Sequence, residues 1–339
     1  MDQYPKLIIL VVSTIISIPV TIFSIALSRR LGFLDKPEIE KHKAHKKPIP
    51  LAGGISMLIT LGIILLLFGK YWADLGISSP LFVTGALIIF IIGLLDDIFI
   101  FSPPIKMLGQ ILGAALVIAS GFSITLFLSP VINIGITLIW FVGIINAFNF
   151  LDGSDGMILE CGIVIAGFSI IFTYLSGQPS LQIFTISLVG LLFGLLIYNF
   201  RPAKMFMGDA GSQLLGLLLA AIVLKYNPLG FDNTSSWITP ILMMSVPIFD
   251  VTLVVISRIR RNTPITRGGL DHTFHRLVIK GVPPQYATII IVATVMITNS
   301  LAHLTLIINR DYAYIVFGFA VITAILMIYW LEKSFQPQE

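Results

Sequence analysis

Charge is scarce in this chain. Only 11% of its 339 residues are Asp, Glu, Lys or Arg, where a soluble domain carries about 25%. The shortage excludes an ordinary soluble enzyme. It excludes a disordered chain more firmly, since disorder needs low hydrophobicity and high net charge. Cysteine is almost missing: Cys161 stands alone, so neither an intramolecular disulfide framework nor a cysteine-based zinc site can form. No clear internal repeat is present, which speaks against the matched, broken halves of a cation-coupled transporter, the rival from another class. Apolar residues fill the sequence instead. They make up 56% of it, with a mean hydropathy of +0.97, more than a soluble core could hide.

The apolar residues come in long runs. A hydrocarbon core about 30 Å thick takes about 20 helical residues. Eleven stretches qualify: 6–28, 51–69, 80–96, 106–128, 131–149, 158–176, 181–199, 211–225, 237–257, 285–308 and 312–331. They are continuous rather than alternating, so they predict helices rather than a barrel. The expected fold is an all-α polytopic membrane protein of about eleven spans, forming a single membrane-embedded domain over residues 1–339. Ala26-Leu27-Ser28 has the look of a signal cleavage site. Only Lys6 precedes the run, however, and Arg29 and Arg30 follow it, so the first span reads as retained.

Cations set the orientation. With the N-terminus outside, the outer side keeps only Lys6, Lys70, Lys225 and Arg310 of the 21 Lys and Arg residues. The positive-inside rule then predicts N-out and C-in. Asp96, Asp97, Asp152, Asp155, Asp209, Asp250 and Asp271 fall on the same predicted cytoplasmic side, although no topology rule requires it of acids. Outer loops are minimal, while inner loops 29–50 and 258–284 are long and basic. This partition fits an enzyme working at the cytoplasmic surface. A transporter more often places ionisable groups near mid-membrane.

Five stretches carry the chemistry. Asp96 and Asp97 end the third span, and two adjacent carboxylates at a membrane boundary suit a base, a metal site, or both. Pro103 and Pro104 open the next span, with Lys106 placed either to reach phosphate or to snorkel. In Asn146-Ala147-Phe148-Asn149-Phe150-Leu151-Asp152-Gly153-Ser154-Asp155-Gly156, polar residues recur every third position, a stripe on one face while the helix persists. Gly153 and Gly156 weaken that helix. Oxygen ligands of this kind suit Mg²⁺, with Mn²⁺ as an alternative. The segment from Asn199 through Arg201 and Lys204 to Gly208-Asp209-Ala210-Gly211-Ser212 places cations and a carboxylate at a helix start, where a phosphate or metal could sit; Asp209 could equally be a plain N-cap. The last inner loop holds Arg258, Arg260, Arg261, Arg267, Asp271, His272, His275 and Arg276. Zinc is a poor reading there, and an anionic group such as a pyrophosphate suits it better.

Taken together, these motifs resemble the polyprenyl-phosphate N-acetylhexosamine-1-phosphate transferases, from about Lys47 to Arg276. The resemblance rests on Lys47-x-x-Pro50-x-x-Gly53-Gly54, Asp96-Asp97, Lys106-x-x-Gly109-Gln110, the Asn146–Gly156 run, Phe206-Met207-Gly208-Asp209-x-Gly211-Ser212 and the His272 loop. It implies integral membrane enzymes that move a sugar-1-phosphate from a UDP-sugar to a polyprenyl phosphate lipid with Mg²⁺ and release UMP. It also implies roles. Asp209 and Asn149 match metal ligands. Asp96 and Asp97 match the catalytic carboxylate pair near the lipid phosphate. Asp152 and Asp155 match acids near the nucleotide, Lys47 and Lys106 match phosphate-contacting lysines, and Asn199, Arg267 and His272 fall among substrate-binding positions.

The string Asp271-His272-Thr273-Phe274-His275-Arg276 lacks the three consecutive histidines of the phospho-MurNAc-pentapeptide branch. It looks closer to the bacterial UDP-GlcNAc branch, while departing from that branch's usual His-x-His-His. The expected activity is therefore GlcNAc-1-phosphate transfer to undecaprenyl phosphate, the start of a cell-envelope polysaccharide, in the bacterial inner membrane. Pentapeptide transfer is the alternative. No nucleic-acid partner is expected, and a homodimer stays open. So does the choice between direct displacement and a covalent aspartyl intermediate.

Overall fold

A computed structural model describes residues 3–36, 47–226, 237–265, 269–333 and 335. Nearly every element is a helix, as apolar runs in lipid require, because backbone groups there have no water to bond. Among the described residues, nine helices are long and apolar enough to cross a membrane. The chain is an all-α polytopic membrane protein.

It folds as two units, Met1–Asn227 and Pro228–Glu339. The first contains α1 (Gln3–Leu31), β1 (Leu34–Asp35), β2 (Ile49–Pro50), α2 (Gly53–Phe68), α3 (Pro80–Phe99), α4 (Pro103–Ala119), α5 (Pro130–Leu151), α6 (Met157–Leu175), α7 (Pro179–Asn199) and α8 (Gly208–Lys225). Four of these helices, α3, α4, α5 and α7, begin on proline, whose missing N–H costs nothing in a first turn. The two helices sunk deepest are α7 and α8. The first packs along α1 and α6, the second against α3 and α5. Lipid tails are as apolar as leucine, so close fit rather than water exclusion must hold such helices together. On α7, Gly190 and Gly194 provide it: a Cβ on Gly190 would lie 2.5 Å from Leu10 O, and one on Gly194 would lie 2.5 Å from Ser17 Cβ. Ser17 Oγ also donates to Leu191 O at 2.9 Å.

The second unit contains α9 (Ile238–Met243), α10 (Ser245–Arg260), α11 (Thr273–Ile279), α12 (Pro284–Ile307) and α13 (Arg310–Lys333). Helix α12 packs on α9, α10, α11 and α13. Outward faces of α13 are broadly apolar and exposed, for instance Phe319, Ile322 and Leu326, as a lipid-facing helix should be.

Two expected spans are corrected. The stretch 106–128 forms a helix only as far as Ala119, because Gly121 adopts φ +100° and ends it. The stretch 237–257 is broken at Met244 into α9 and α10. Pro247 has no N–H for the carbonyl of Met243 four residues earlier. Asn299 Nδ2 of α12 donates to that carbonyl instead, at 3.2 Å. Helix α11, inside the last basic loop, was not foreseen.

Candidate active site

The polar ends of α3, α4, α5 and α8 meet at one end of the first unit. The meeting point is built around Lys106. Pro103 and Pro104 start α4 and bring Lys106 onto its first turn. Its Nζ bonds Asp96 Oδ2 at 3.0 Å and also bonds Asp209 Oδ2. Asn149, near the end of α5, completes the group. Its amide nitrogen lies 3.0 Å from Asp209 Oδ1 and 2.8 Å from Ser212 Oγ, and its oxygen accepts from Lys106 Nζ at 3.0 Å. The opposite amide orientation would set oxygen against carboxylate oxygen.

The adjacent acids Asp96 and Asp97 part company. Asp96 Oδ1 accepts from Phe101 N at 2.6 Å and so ties down the turn into α4. Asp97 turns toward α8. Its Oδ1 accepts from Asp209 N at 2.8 Å and its Oδ2 from Ala210 N at 3.2 Å. The first N–H groups of a helix have no partner of their own, and a negative charge there also meets the positive end of the helix dipole. Asp97 thus holds the backbone that carries Asp209. Gly208 makes this approach feasible: its φ is +65°, and a Cβ on it would lie 2.7 Å from Asp97 Oδ2.

On the other side of α8, the Pro50–Gly54 segment runs against the loop before Asp209. Phe206 N donates to Pro50 O at 2.9 Å, Gly53 N to Phe206 O at 3.0 Å and Gly54 N to Met207 O at 3.1 Å. Lys47 is exposed just ahead of β2. Paired with β2 is β1, in the register Asp35 with Ile49.

The expected stripe from Asn146 to Asp155 does not persist as helix. Helix α5 ends at Leu151, and Gly156 sits at φ +78°. Asn146 turns instead to Gln110, its Nδ2 donating to Gln110 Oε1 at 2.7 Å. Asp152 lies in the turn. Burial pushes its carboxyl well above the usual range, and the charges of Asp209, Asp97, Asp155 and Asp35 push the same way. Asp155 braces the loop after α7: its Oδ2 accepts from Ala203 N at 2.9 Å and its carbonyl from Arg201 Nε at 3.0 Å. Arg201 also pairs with Glu160 at 3.3 Å. Asn199 Nδ2 donates to Met205 O at 2.9 Å within the same loop.

In the second unit, His272 immediately precedes α11, and its Nδ1 is 2.8 Å from Asp250 Oδ2. Arg267 lies outside the described residues.

Sequence reasoning gave no role to several residues. Gln213, one turn after Asp209, has its Nε2 at 3.4 Å from Asp209 Oδ2, and its Oε1 accepts from Gln110 Nε2 at 3.0 Å. A fully buried glutamine in an apolar span was the signal. Glu160, the partner of Arg201, and Asp35 had no signal beyond being charged near a predicted cytoplasmic end.

Three oxygens, from Asp96, Asp209 and Asn149, therefore surround one cationic centre. They are hard donors of the class that Mg²⁺ takes, usually with only one or two carboxylates. Among the described residues no three His, Cys, Asp or Glu side chains form a metal-holding group. The set is two carboxylates and an amide, and its chemistry fits a hard divalent ion.

Residues 79–227, the stretch that holds the side chains gathered around Lys106, match the model of glycosyl transferase family 4. A probable undecaprenyl-phosphate N-acetylglucosaminyl 1-phosphate transferase of Bacillus subtilis (strain 168) is 32% identical over 84% of this chain and 82% of its own length. The chain belongs to this family. Its undecaprenyl-phosphate alpha-N-acetylglucosaminyl 1-phosphate transferase from Escherichia coli (strain K12) is 27% identical over 91% of this chain and 85% of its own. A phospho-N-acetylmuramoyl-pentapeptide-transferase of Geobacillus sp. (strain WCH70) is 30% identical, but over 63% of this chain and 73% of its own. Within glycosyl transferase family 4 the chain stands nearer the N-acetylglucosaminyl branch.

Proposed function

We propose that this protein transfers N-acetylglucosamine-1-phosphate from UDP-GlcNAc to undecaprenyl phosphate, or a related polyprenyl phosphate, and releases UMP. It does so at the cytoplasmic face of a bacterial inner membrane, with N-out and C-in topology. The observation that carries the reading is the convergence of Asp96, Asp209 and Asn149 on Lys106 at one end of the helical bundle.

In this reaction an oxygen of the lipid phosphate bonds to the β-phosphorus of the UDP-sugar. The bond from that phosphorus to the bridging oxygen breaks, and UMP leaves with the bridging oxygen. Both reactants are anions, so the chief obstacle is charge. Lys106 supplies fixed positive charge beside the reacting phosphates, and such pre-set charge is worth most in a site that excludes water. Asp209 and Asn149, with Asp96, would hold Mg²⁺. When bound, that ion neutralises the pyrophosphate and stabilises the departing UMP. Asp97 keeps Asp209 in place through the start of α8. Asp96 keeps Lys106 in place. A phosphate monoester has a second pKa of about 6, so the lipid phosphate is already largely ionised at neutral pH. Direct displacement needs no covalent aspartate, and the Asp96 oxygens are engaged with Phe101 N and Lys106. Lys47, Asp152, Asp155, Asn199, Arg267 and His272 are proposed as substrate-binding.

The test incubates the purified protein in lipid with Mg²⁺, undecaprenyl phosphate and labelled UDP-GlcNAc or UDP-MurNAc-pentapeptide, and follows UMP. Lipid-dependent UMP release with UDP-GlcNAc is expected. A kcat/KM ratio favouring the pentapeptide donor would overturn the donor assignment, and UMP release with neither would overturn the activity.

A further inference from the structure

The histidine of the last basic loop is held more rigidly than a ligand-contacting surface residue needs to be. Asp250, on α10, is only 1% exposed. Both of its oxygens are committed to the start of α11. Oδ2 meets His272 Nδ1 at 2.8 Å, and Oδ1 accepts from Thr273 N at 2.7 Å. The flanking backbone is held as well. Asp271 takes a two-pronged grip from Arg258, with Nε to Oδ2 at 2.9 Å and Nη2 to Oδ1 at 2.8 Å, and a further bond from Arg261 at 2.8 Å. Arg276 Nε donates to the Asp271 carbonyl at 2.7 Å, and Arg276 is itself paired with Glu332. The His275 ring lies 6.0 Å away, centroid to centroid.

An ionised carboxylate only accepts hydrogen bonds. A 2.8 Å contact with Asp250 Oδ2 therefore requires the proton to be on Nδ1. We propose that Asp250 is the positioning residue of His272: it fixes the ring in the Nδ1–H form, so that His272 meets the substrate's phosphate through Nε2. Any proton the ring gains then goes to Nε2, where it is donated to a phosphate oxygen, while Asp250 balances the charge of the imidazolium. A buried acid that orients a histidine from behind is a general device, and its removal characteristically costs rate rather than fold. The proposal rests on the substrate-binding role given to His272 above.

Asp250→Asn separates positioning from support. Its amide oxygen can still accept from Thr273 N, so the start of α11 keeps its bond. Its nitrogen can only donate, which forces His272 Nδ1 to be the acceptor. A purely structural Asp250 predicts near-normal turnover in Asp250→Asn. Positioning predicts a kcat lowered about 10–100-fold with KM for the UDP-sugar little changed, and no further loss when Asp250→Asn is added to His272→Ala. The direct readout is ¹⁵N NMR of histidine-labelled protein, with the His272 signals assigned by difference from His272→Gln. Wild type should show Nδ1–H, and Asp250→Asn should show Nε2–H. A wild-type His272 protonated on Nε2 alone overturns the proposal, as does an Asp250→Asn protein with wild-type kcat. The wild-type spectrum decides even where a variant fails to accumulate. It also needs no substrate, so failure of UDP-GlcNAc as donor would refute the activity without touching the tautomer result.

Discussion

The ε-ammonium of Lys106 stands between two carboxylates, bonded to Asp209 Oδ2 and 3.0 Å from Asp96 Oδ2. It is the charge that lets these acids share one small space. The side chains of Lys106 and Asp96 are 17% and 15% exposed, so solvent screens them only partly. Replacing Lys106 by Met leaves the two carboxylates facing each other with a neutral neighbour. The expected outcome is a split: binding of a divalent ion, read by Mn²⁺ EPR, is retained or tightened, while kcat falls by about 10²–10³. Lys106→Met with lost Mn²⁺ binding and normal kcat would sink the assignment of Lys106 to the phosphates.

Gly208 controls where Asp209 lies. An alanine there would hold φ +65°, a conformation that costs an L-residue about 1–2 kcal/mol. Its Cβ would also crowd Asp97 Oδ2 at 2.7 Å. Asp97 must then release the amides of Asp209 and Ala210, and the carboxylate of Asp209 moves with them. Gly208→Ala should lower the thermal midpoint by a few degrees and kcat by about 10²-fold, since displacements near 1 Å can cost that much. An unchanged midpoint and rate would show that the Asp97 grip on α8 is incidental.

Much of this was legible in the order of residues, and the unread part has physical causes. Apolar runs of 15–24 residues located the nine long helices found among the described residues, because length and hydropathy suffice for that. They could not separate Asp96 from Asp97. Adjacent residues on a helix point about 100° apart, so one acid reaches Lys106 and the other reaches α8, a difference decided by how α3 packs. The three-residue spacing from Asn146 to Asp155 suggested one stripe, yet the chain leaves the helix at Asp152 and splits the set. Asp250 and His272 are 22 positions apart, and no local spacing rule joins them. The break at Met244 was foreshadowed by Pro247, but hydropathy alone ran through it.

Acid should weaken the second unit in two separable stages. Burial, and then the charge of His272, pulls His275 down to about 4 from 6.5. Between those values the unfolded chain binds the extra proton, so stability falls as pH drops from 6.5 to 4. Burial raises Asp271, but hydrogen bonding and charge from Arg258 outweigh it and hold the carboxyl at about 2, against 3.8. Its contribution is present above 3.8 and is lost only as pH falls from there toward 2. His275 is half-buried, so its share after solvent screening is about 1 kcal/mol, or about 2–4 °C. Thermal midpoints in detergent from pH 7 to 4.5 should therefore fall less for His275→Gln than for wild type. Parallel curves would remove His275 as the source.

Orientation is testable without a fully cysteine-free background, because the lone Cys161 is buried and should not react with a polar maleimide. Lys70 and Lys204 are both exposed and fall on opposite sides in the N-out arrangement. Lys70 follows α2 and Lys204 follows α7, and in the N-out arrangement all five helices between them, α3 to α7, cross the membrane, the short α4 included. The positive-inside rule puts Lys204, with Arg201, in the cytoplasm and leaves Lys70 among the few outer cations. In intact cells, Lys70→Cys should react with a membrane-impermeant maleimide, and Lys204→Cys only after the membrane is opened. Lys204 lies five residues before Asp209, so its side is also the side of the candidate site. Reaction of Lys204→Cys from outside would place the carboxylates, Lys106 and the UDP-sugar on the wrong face of the membrane and would overturn the cytoplasmic reaction with the topology.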